Sequence, residues 1–214
     1  MKKVLVTCFD PFGGAAVNPS QIAVTQLPDE IDDIKVVKQV IPTVFDKSID
    51  ILFDVLKIEA PDVVICVGQA GGRPNITVER VAININDAPI PDNDGNQPVD
   101  SAIFADAPSA YFATLPIKAM VQNCNNIGIP AAISNTAGTF VCNHLMYAAC
   151  HYAALHQPKL KAGFIHIPFV PEQTIDKQTM PSMSCADIIA GLKSFIKTAA
   201  TIDQDVKIAG GAEH

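Results

Sequence analysis

Short apolar segments rich in β-branched residues recur along the 214-residue chain, and stretches with helical spacing separate them. Such a segment is typical of a strand buried on both faces, since it lacks the polar and apolar alternation of a half-exposed strand. Strands that alternate with helices predict a mostly parallel sheet between two layers of helices. The predicted strands cover residues 3–9, 35–41, 62–67, 129–134 and 161–167, and residues 76–86 form a longer β-rich segment.

Amphipathic stretches predict the helices and complete the fold class. Apolar residues recur at helical spacing after Phe45, for example, and this pattern stops before Pro61. The other predicted helices cover residues 18–27, 116–125, 141–155 and 185–200. Because the chain has neither an internal repeat nor a linker, we expect one domain over residues 1–214. Its predicted fold is a three-layer α/β/α sandwich with a mostly parallel, partly mixed central sheet.

The ends of the predicted strands indicate where a ligand binds. In sheets of this class the ligand site lies beyond the carboxyl ends of the strands. Four predicted strands end at or just before Phe9, Gln69, Asn135 and His166. We therefore expect the loops that follow them to meet.

The composition excludes several classes of protein. Acidic residues outnumber basic ones by 22 to 15, and the net charge of −7 argues against nucleic acid or an anionic membrane as a partner. No apolar run approaches the roughly 18–20 residues that a membrane span needs. The six cysteines include neither a CxxC pair nor zinc-type spacing, so we expect a soluble cytoplasmic protein with reduced thiols and no metal.

Cys142 occupies a position that suits a reactive thiol. The predicted strand ending at Ser134 leads into a loop with Gly138, and a helical pattern then opens at Val141. The free N–H groups and dipole of a helix N-terminus stabilise a thiolate, so we expect this thiol to ionise more easily than usual. The same N–H groups bind an oxyanion formed beside the sulfur. A small buried residue that packs the helix start is the alternative.

A cysteine nucleophile needs a base and a group that orients the base. Among the five histidines, His166 is the best candidate because it ends a predicted strand near the Cys142 loop, whereas His144 points to another helix face and His214 is terminal. A core histidine bonded to the backbone is the alternative. Glu79 interrupts an apolar β-rich run and is the candidate orienting carboxylate, with an ion pair to Arg80 as its alternative.

Five stretches of the chain, in order, resemble pyroglutamyl peptidase I, a family of cytosolic cysteine exopeptidases also called pyrrolidone carboxyl peptidases. They are TCFDPFGG, GQAGGRPNITVERVAININ, YFATLPIKAM, SNTAGTFVCNH and GFIHIPFVPEQ. Two of them contain active-site signatures of the family, and the resemblance covers nearly the whole chain.

This resemblance implies a reaction and a role for each candidate. Cys142 is the nucleophile, His166 the base and later the acid, and Glu79 the residue that holds His166. The attack forms a pyroglutamyl thioester that water hydrolyses, with no metal or cofactor. The resemblance also implies a single catalytic domain and peptides with an N-terminal pyroglutamate as substrates. The expected assembly is a homotetramer, with a dimer as the alternative.

The resemblance also places an apolar slot around the pyroglutamyl ring, which is small and neutral. Ordinary core packing is the alternative for its apolar members. The implied substrate-binding residues are Phe9, Phe12, Gln69, Ile90, Phe140 and Val141, with Gln69 and nearby backbone groups at the lactam. The backbone N–H of Cys142 and the loop 68–71 are the candidates for the oxyanion hole.

Three cysteine or proline positions add detail to the resemblance. The family usually has glycine where this chain has Cys8, and it commonly has arginine where this chain has Pro89. Loss of that arginine removes a positive charge near the site. Cys185 lies near a position where some members from hot environments place a cysteine at a subunit contact, and here we expect a free thiol.

Two other functions stay open on the sequence. The chain could act as a thiol amidase on another small cyclic amide, which a substrate panel would distinguish. It could also bind pyroglutamyl peptides with weak activity, although binding alone does not require an intact set of Glu79, Cys142 and His166.

Overall fold

A computed structural model of the protein describes residues 1–211. Within this range the α-helices are α1 (Pro19–Thr25), α2 (Lys47–Glu59), α3 (Ile117–Asn126), α4 (Val141–His156) and α5 (Cys185–Thr201). The strands are β1 (Lys2–Phe9), β2 (Glu30–Ile31), β3 (Ile34–Ile41), β4 (Val63–Gln69), β5 (Ile76–Glu79), β6 (Val81–Ile83), β7 (Ala110–Phe112), β8 (Ala131–Ser134) and β9 (Lys161–Ile167). The terminal histidine, His214, lies outside the described residues, and so does the end of the predicted domain.

The main sheet has the strand order β2-β3-β1-β4-β9-β5-β8. Strands β3, β1, β4 and β9 are parallel to one another, while β5 is antiparallel to β9 and β2 is antiparallel to β3. Strand β8 is parallel to β5 at the edge. The expected fold class, an α/β sandwich with a mostly parallel and partly mixed sheet, is therefore confirmed.

Helices cover both faces of this sheet, which explains the continuous apolar strands. Alternate residues of β1 enter different cores, since Val4 belongs to the core that α1, α3 and α5 cover and Leu5 to the core that α2 and α4 cover. In β4, Ile65 likewise belongs to the same core as Val4, and Val64 to the same core as Leu5. Burying a side chain of this size contributes roughly 1.5–3 kcal/mol to folding.

Local sequence signals fix several helix ends. The Asn18 side chain accepts a hydrogen bond from the Ser20 N–H, and Pro19 occupies the first turn of α1, where its missing N–H costs nothing. Ser184 caps α5 in the same way by accepting from the Asp187 N–H. Helix α2 ends at Ala60, whose φ of 42° is left-handed, directly before Pro61.

The predicted β-rich segment of residues 76–86 contains two short strands, which belong to different sheets. Strand β5 ends at Glu79, and β6 leaves the main sheet to pair with β7 in a separate two-stranded sheet. The short strands β2 and β7 were not predicted from the sequence, because two or three residues carry too little periodicity.

Strand β8 enters the expected meeting of loops from the direction opposite to the other three strands. Strands β5 and β8 run opposite to β9, and Ser134 pairs with Glu79. The loop after Asn135 nevertheless contacts the loop after Gln69, since the Thr136 carbonyl accepts a hydrogen bond from Arg73. Among the described residues, no helix has both the length and the apolar character to cross a membrane.

Candidate active site

Three neighbouring strands place the candidate residues on one face of the sheet. Gly68 of β4 pairs with His166 of β9, and His166 pairs in turn with Thr77 of β5. Paired residues point to the same face, and Glu79 shares that face because it lies two residues beyond Thr77. This is the face covered by α4, whose first turn contains Cys142.

The side chains of Glu79 and His166 form a buried hydrogen bond. His166 Nδ1 lies 2.7 Å from Glu79 Oε1, and the two residues are 4% and 0% exposed respectively. Burial raises the pKa of the Glu79 carboxyl, but interactions with His166, Ser134 and Arg73 outweigh it and hold that pKa below its ordinary value. An ionised carboxylate only accepts hydrogen bonds, so His166 Nδ1 carries the proton and Nε2 is left to act as the base.

Cys142 is the second residue of α4 and lies against β4. Its sulfur would be 2.9 Å from a Cβ atom added to Gly68, the residue that pairs with His166. The residue as a whole is half-buried, with its sulfur turned towards the sheet. The structure thus brings Cys142 to the strand that neighbours His166, and the absence of a side chain at Gly68 makes room for the sulfur.

The expectation that Cys142 ionises easily is wrong for the site as it stands in this structure. Burial, together with the Glu79 carboxylate, raises the pKa of this thiol to about 12, while the Arg73 charge lowers it by less. The removal of the thiol from water outweighs the position at a helix N-terminus. The resting group is therefore the neutral thiol, and an attack requires a base that takes its proton.

Arg73 and Thr77 also belong to this site, although neither was predicted from the sequence. Arg73 Nη1 lies 2.6 Å from Glu79 Oε1 and 2.6 Å from Thr77 Oγ1. Arg80, the expected ion-pair partner of Glu79, instead donates to the Asn135 side chain and to the Gly210 carbonyl. The available signal was the Gly-Gly-Arg-Pro turn after β4, which returns the chain to this edge of the sheet.

The predicted substrate-binding residues divide into an accessible group and a buried group. The rings of Phe12 and Phe140 lie 6.3 Å apart, both are partly exposed, and Ile90 is 40% exposed. Phe9 and Val141 are buried in the core on the same side of the sheet. The accessible group offers an apolar surface beside the first turn of α4, and the buried group supports it.

Hydrogen bonds join the two loops that carry this surface. Asp10 Oδ1 accepts from the Thr43 N–H at 2.7 Å and from Asn93 Nδ2 at 3.2 Å, and Asn93 also donates to the Pro11 carbonyl. The buried Asp92 accepts from the Phe45 N–H at 2.9 Å. These bonds fix the Phe12 loop against the Ile90 loop.

The side-chain amide of Gln69 has a defined direction. Its Oε1 accepts from Gln173 Nε2 at 3.1 Å, and Gln173 Oε1 accepts from the Val170 N–H at 3.1 Å. Within residues 1–211 we find no acceptor for Gln69 Nε2. Gln69 is thus arranged to donate a hydrogen bond, as recognition of a carbonyl oxygen requires.

The two departures from the family pattern lie in different places. Cys8 is buried on the sheet face opposite Cys142, with its sulfur 3.8 Å from the Gln39 carbonyl. Pro89 is exposed beside Ile90. The six cysteines are all free, including Cys185, and no group of three metal-binding side chains occurs in the described part of the chain.

A family model for pyroglutamyl peptidase matches residues 2–202. The chain belongs to the pyroglutamyl peptidase family. A pyrrolidone-carboxylate peptidase of Alkaliphilus oremlandii is 59% identical over 98% of this chain and 99% of its own, and one of Bacillus cereus is 50% identical over 100% of both. The crystal structure of pyroglutamyl peptidase I from Bacillus amyloliquefaciens has a TM-score of 0.95 at 50% identity, covering 97% of this chain and 99% of that one. A mutant pyrrolidone carboxyl peptidase from Pyrococcus furiosus has a TM-score of 0.89 at 43% identity, over 92% and 97%.

Proposed function

We propose that this protein is a cysteine exopeptidase that removes the N-terminal pyroglutamyl residue from peptides. The observation that carries the proposal is the buried hydrogen bond between Glu79 and His166, on the sheet face that Cys142 approaches from the first turn of α4. Its membership of the pyroglutamyl peptidase family and the names of its relatives support the substrate class. The site residues act as a nucleophile, a base and an orienting group.

In the first half of the reaction, Cys142 Sγ attacks the carbonyl carbon of the pyroglutamyl residue. His166 Nε2 takes the thiol proton during the attack, because the thiol is neutral in the resting site. The negative charge then rests on the former carbonyl oxygen, which the Cys142 N–H and backbone N–H groups of the loop 68–71 stabilise in this proposal. His166 gives its proton to the leaving amine, the C–N bond breaks, and a thioester forms.

In the second half, water replaces the released peptide. His166 Nε2 takes a proton from the water while its oxygen attacks the thioester carbon. The C–S bond breaks, His166 returns the proton to the sulfur, and free pyroglutamate leaves. Glu79 accepts from Nδ1 throughout and stabilises the imidazolium that forms in each half.

Substrate selection rests on the apolar surface and Gln69. Phe12, Phe140 and Ile90 suit a neutral five-membered ring, whereas a charged N-terminal amine would lose its hydration there. Gln69 Nε2 donates to the lactam carbonyl in this proposal. A proline ring has the same size but lacks that carbonyl, so a prolyl peptide would leave the donor unpaired.

The proposal also includes the oligomeric state of the protein and its cellular compartment. We expect a homotetramer, and exposed apolar side chains support self-association, since Phe112 is 70% and Leu155 60% exposed. Six free cysteines suit a reducing cytoplasm. Light scattering coupled to gel filtration measures the number of subunits directly.

The reaction class is tested with paired reporter substrates. Wild-type protein, kept reduced, should release the fluorophore from a pyroglutamyl amide and not from the matching prolyl amide. Iodoacetamide or the substitution Cys142→Ala should abolish release, while Cys185→Ala, the control at the other partly exposed thiol, should keep it. Equal release by Cys142→Ala would contradict the proposal.

A further inference from the structure

We propose that Arg73 is a positioning residue for this reaction, which holds the Glu79 carboxylate and the segment before Cys142 in one arrangement. The inference rests on the proposed function and extends it to a residue outside the nucleophile, base and orienting group. Arg73 belongs to the turn after β4, between Gly68 and β5. From there its guanidinium reaches both the Glu79 carboxylate and the loop that precedes α4.

Arg73 and His166 donate to the same oxygen of Glu79. Their nitrogens lie 2.6 and 2.7 Å from Oε1, short distances that suit hydrogen bonds to an ionised carboxylate. Glu79 Oε2 has no hydrogen bond in the part of the chain that the structure describes. The Ser134 hydroxyl lies near this carboxyl and helps to lower its pKa, and it also donates to the Thr136 carbonyl. Besides Ser134 and a weaker contact of 3.5 Å from Thr77 Oγ1, the donors that orient the buried carboxylate are therefore His166 and Arg73.

The other terminal nitrogen of the Arg73 guanidinium reaches the chain segment that leads to the nucleophile. Nη2 donates to the Thr136 carbonyl at 3.2 Å, six residues before Cys142. One planar guanidinium thus ties the Glu79 carboxylate to the loop that precedes α4. Lysine keeps the charge but cannot donate in two fixed directions, so the two effects of Arg73 are separable by substitution.

The charge of Arg73 has a consequence that a purely structural residue would lack. It lies near a neutral thiol that must lose its proton and beside a carboxylate that opposes this loss. Removal of the cation leaves the Glu79 charge uncompensated and disfavours the thiolate. Arg73 therefore contributes to the reactivity of Cys142 as well as to the geometry of His166.

The chain contains only two arginines, and the second provides the control. Arg80 adjoins Glu79 in sequence but binds Asn135 and Gly210 away from the site. In Arg73→Gln we expect kcat to fall about 10- to 100-fold, the size expected for one lost hydrogen bond to a charged group, with a smaller change in KM. Arg73→Lys should lie between this variant and wild type, and Arg80→Gln should stay within about twofold of wild type.

A second readout needs no substrate. The rate of iodoacetamide alkylation at Cys142, followed by mass spectrometry of its peptide at pH 8, reports the thiolate fraction. We expect this rate to fall about tenfold in Arg73→Gln, which corresponds to one unit in the pKa of the thiol. Arg73→Lys and Arg80→Gln should alkylate at about the wild-type rate.

The two readouts separate this inference from the proposed function. A wild-type protein that hydrolyses no pyroglutamyl reporter overturns the proposed function, while the alkylation rates still test Arg73. Wild-type values of kcat and of alkylation in Arg73→Gln would overturn the inference. So would a loss of kcat with unchanged alkylation. If Arg73→Gln does not fold, Arg73→Lys provides the test. An unchanged kcat in Arg73→Lys would show that the two directed hydrogen bonds of the guanidinium are not needed.

Discussion

The sulfur of Cys142 lies in space that a side chain at Gly68 would occupy, since a Cβ atom there would be only 2.9 Å from Sγ and 2.8 Å from the Phe164 ring. We therefore predict that Gly68→Ala displaces the nucleophile. A displacement of about 1 Å costs roughly 100-fold in rate, and overpacking costs about 1–3 kcal/mol of stability. The measurements are kcat on the pyroglutamyl reporter and the free energy of unfolding in urea.

Gly191→Ala is the matched control for Gly68→Ala. Its Cβ would meet Ile76 Cδ1 at 2.7 Å, in the core on the opposite face of the sheet. This variant should lose stability of similar size but keep the wild-type kcat. Equal losses of kcat in the two variants would show that general overpacking, and not the position of Cys142, limits the reaction.

Replacement of the orienting carboxylate should damage the chemistry far more than substrate binding. In Glu79→Gln the side chain no longer stabilises the imidazolium, and the amide favours the wrong His166 tautomer. We expect kcat to fall about 10³- to 10⁴-fold with little change in KM. Steady-state kinetics on the reporter provide the test, and a kcat within tenfold of wild type would remove Glu79 from the mechanism.

The buried His144 should make folding stability depend on pH. Its Nδ1 donates to Asn86 Oδ1 at 2.9 Å and its Nε2 accepts from the Asp46 N–H at 3.0 Å, so the neutral ring is the form that fits. Burial lowers the pKa of His144 to about 4. In the unfolded chain His144 takes up a proton as the pH falls through about 6.5, whereas in the folded chain it does so only near pH 4. The contribution of the neutral His144 to folding stability is therefore complete above pH 6.5 and decreases as the pH falls towards 4.

The loss from His144 between pH 7.5 and 5.0 should be about 2 kcal/mol. Urea unfolding at the two pH values measures it, and His144→Gln should show a smaller difference than wild type. His156→Gln is the control, because His156 is exposed at the end of α4. An identical pH dependence in wild type and His144→Gln would contradict this assignment.

Gln173 should influence substrate recognition through Gln69. Its Nε2 donates to Gln69 Oε1, so Gln173→Leu frees the Gln69 amide to rotate and present its carbonyl to the lactam carbonyl. We expect KM for the pyroglutamyl reporter to rise about tenfold, with kcat less affected, because one hydrogen bond in the bound state is lost. An unchanged KM in this variant would mean that Gln69 does not read the lactam carbonyl.

Much of the fold was predictable because buried strands and amphipathic helices have clear periodicities. Strand β9 matches its predicted range of residues 161–167. The reversed direction of β5 and β8 was not predictable, since an apolar run such as that before Ser134 has the same composition in a parallel and an antiparallel strand.

The candidate site was predictable where residue type alone indicates chemistry, as for Cys142 and His166. Which arginine forms the ion pair with Glu79 was not predictable. Arg73 and Arg80 have the same charge, and only the turn before β5 determines which one reaches the carboxylate. The pKa of the Cys142 thiol depends on its burial by the surrounding fold, which the helix position alone does not reveal.

The central claim is that Cys142 accepts the pyroglutamyl group. The most direct measurement is rapid acid quenching of the wild-type enzyme during turnover of a pyroglutamyl ester or amide, followed by mass spectrometry of the Cys142 peptide. We predict a transient increase equal to one pyroglutamyl group on this peptide, absent after iodoacetamide treatment. Turnover without any acyl group on Cys142, or with the group on another residue, would contradict the account.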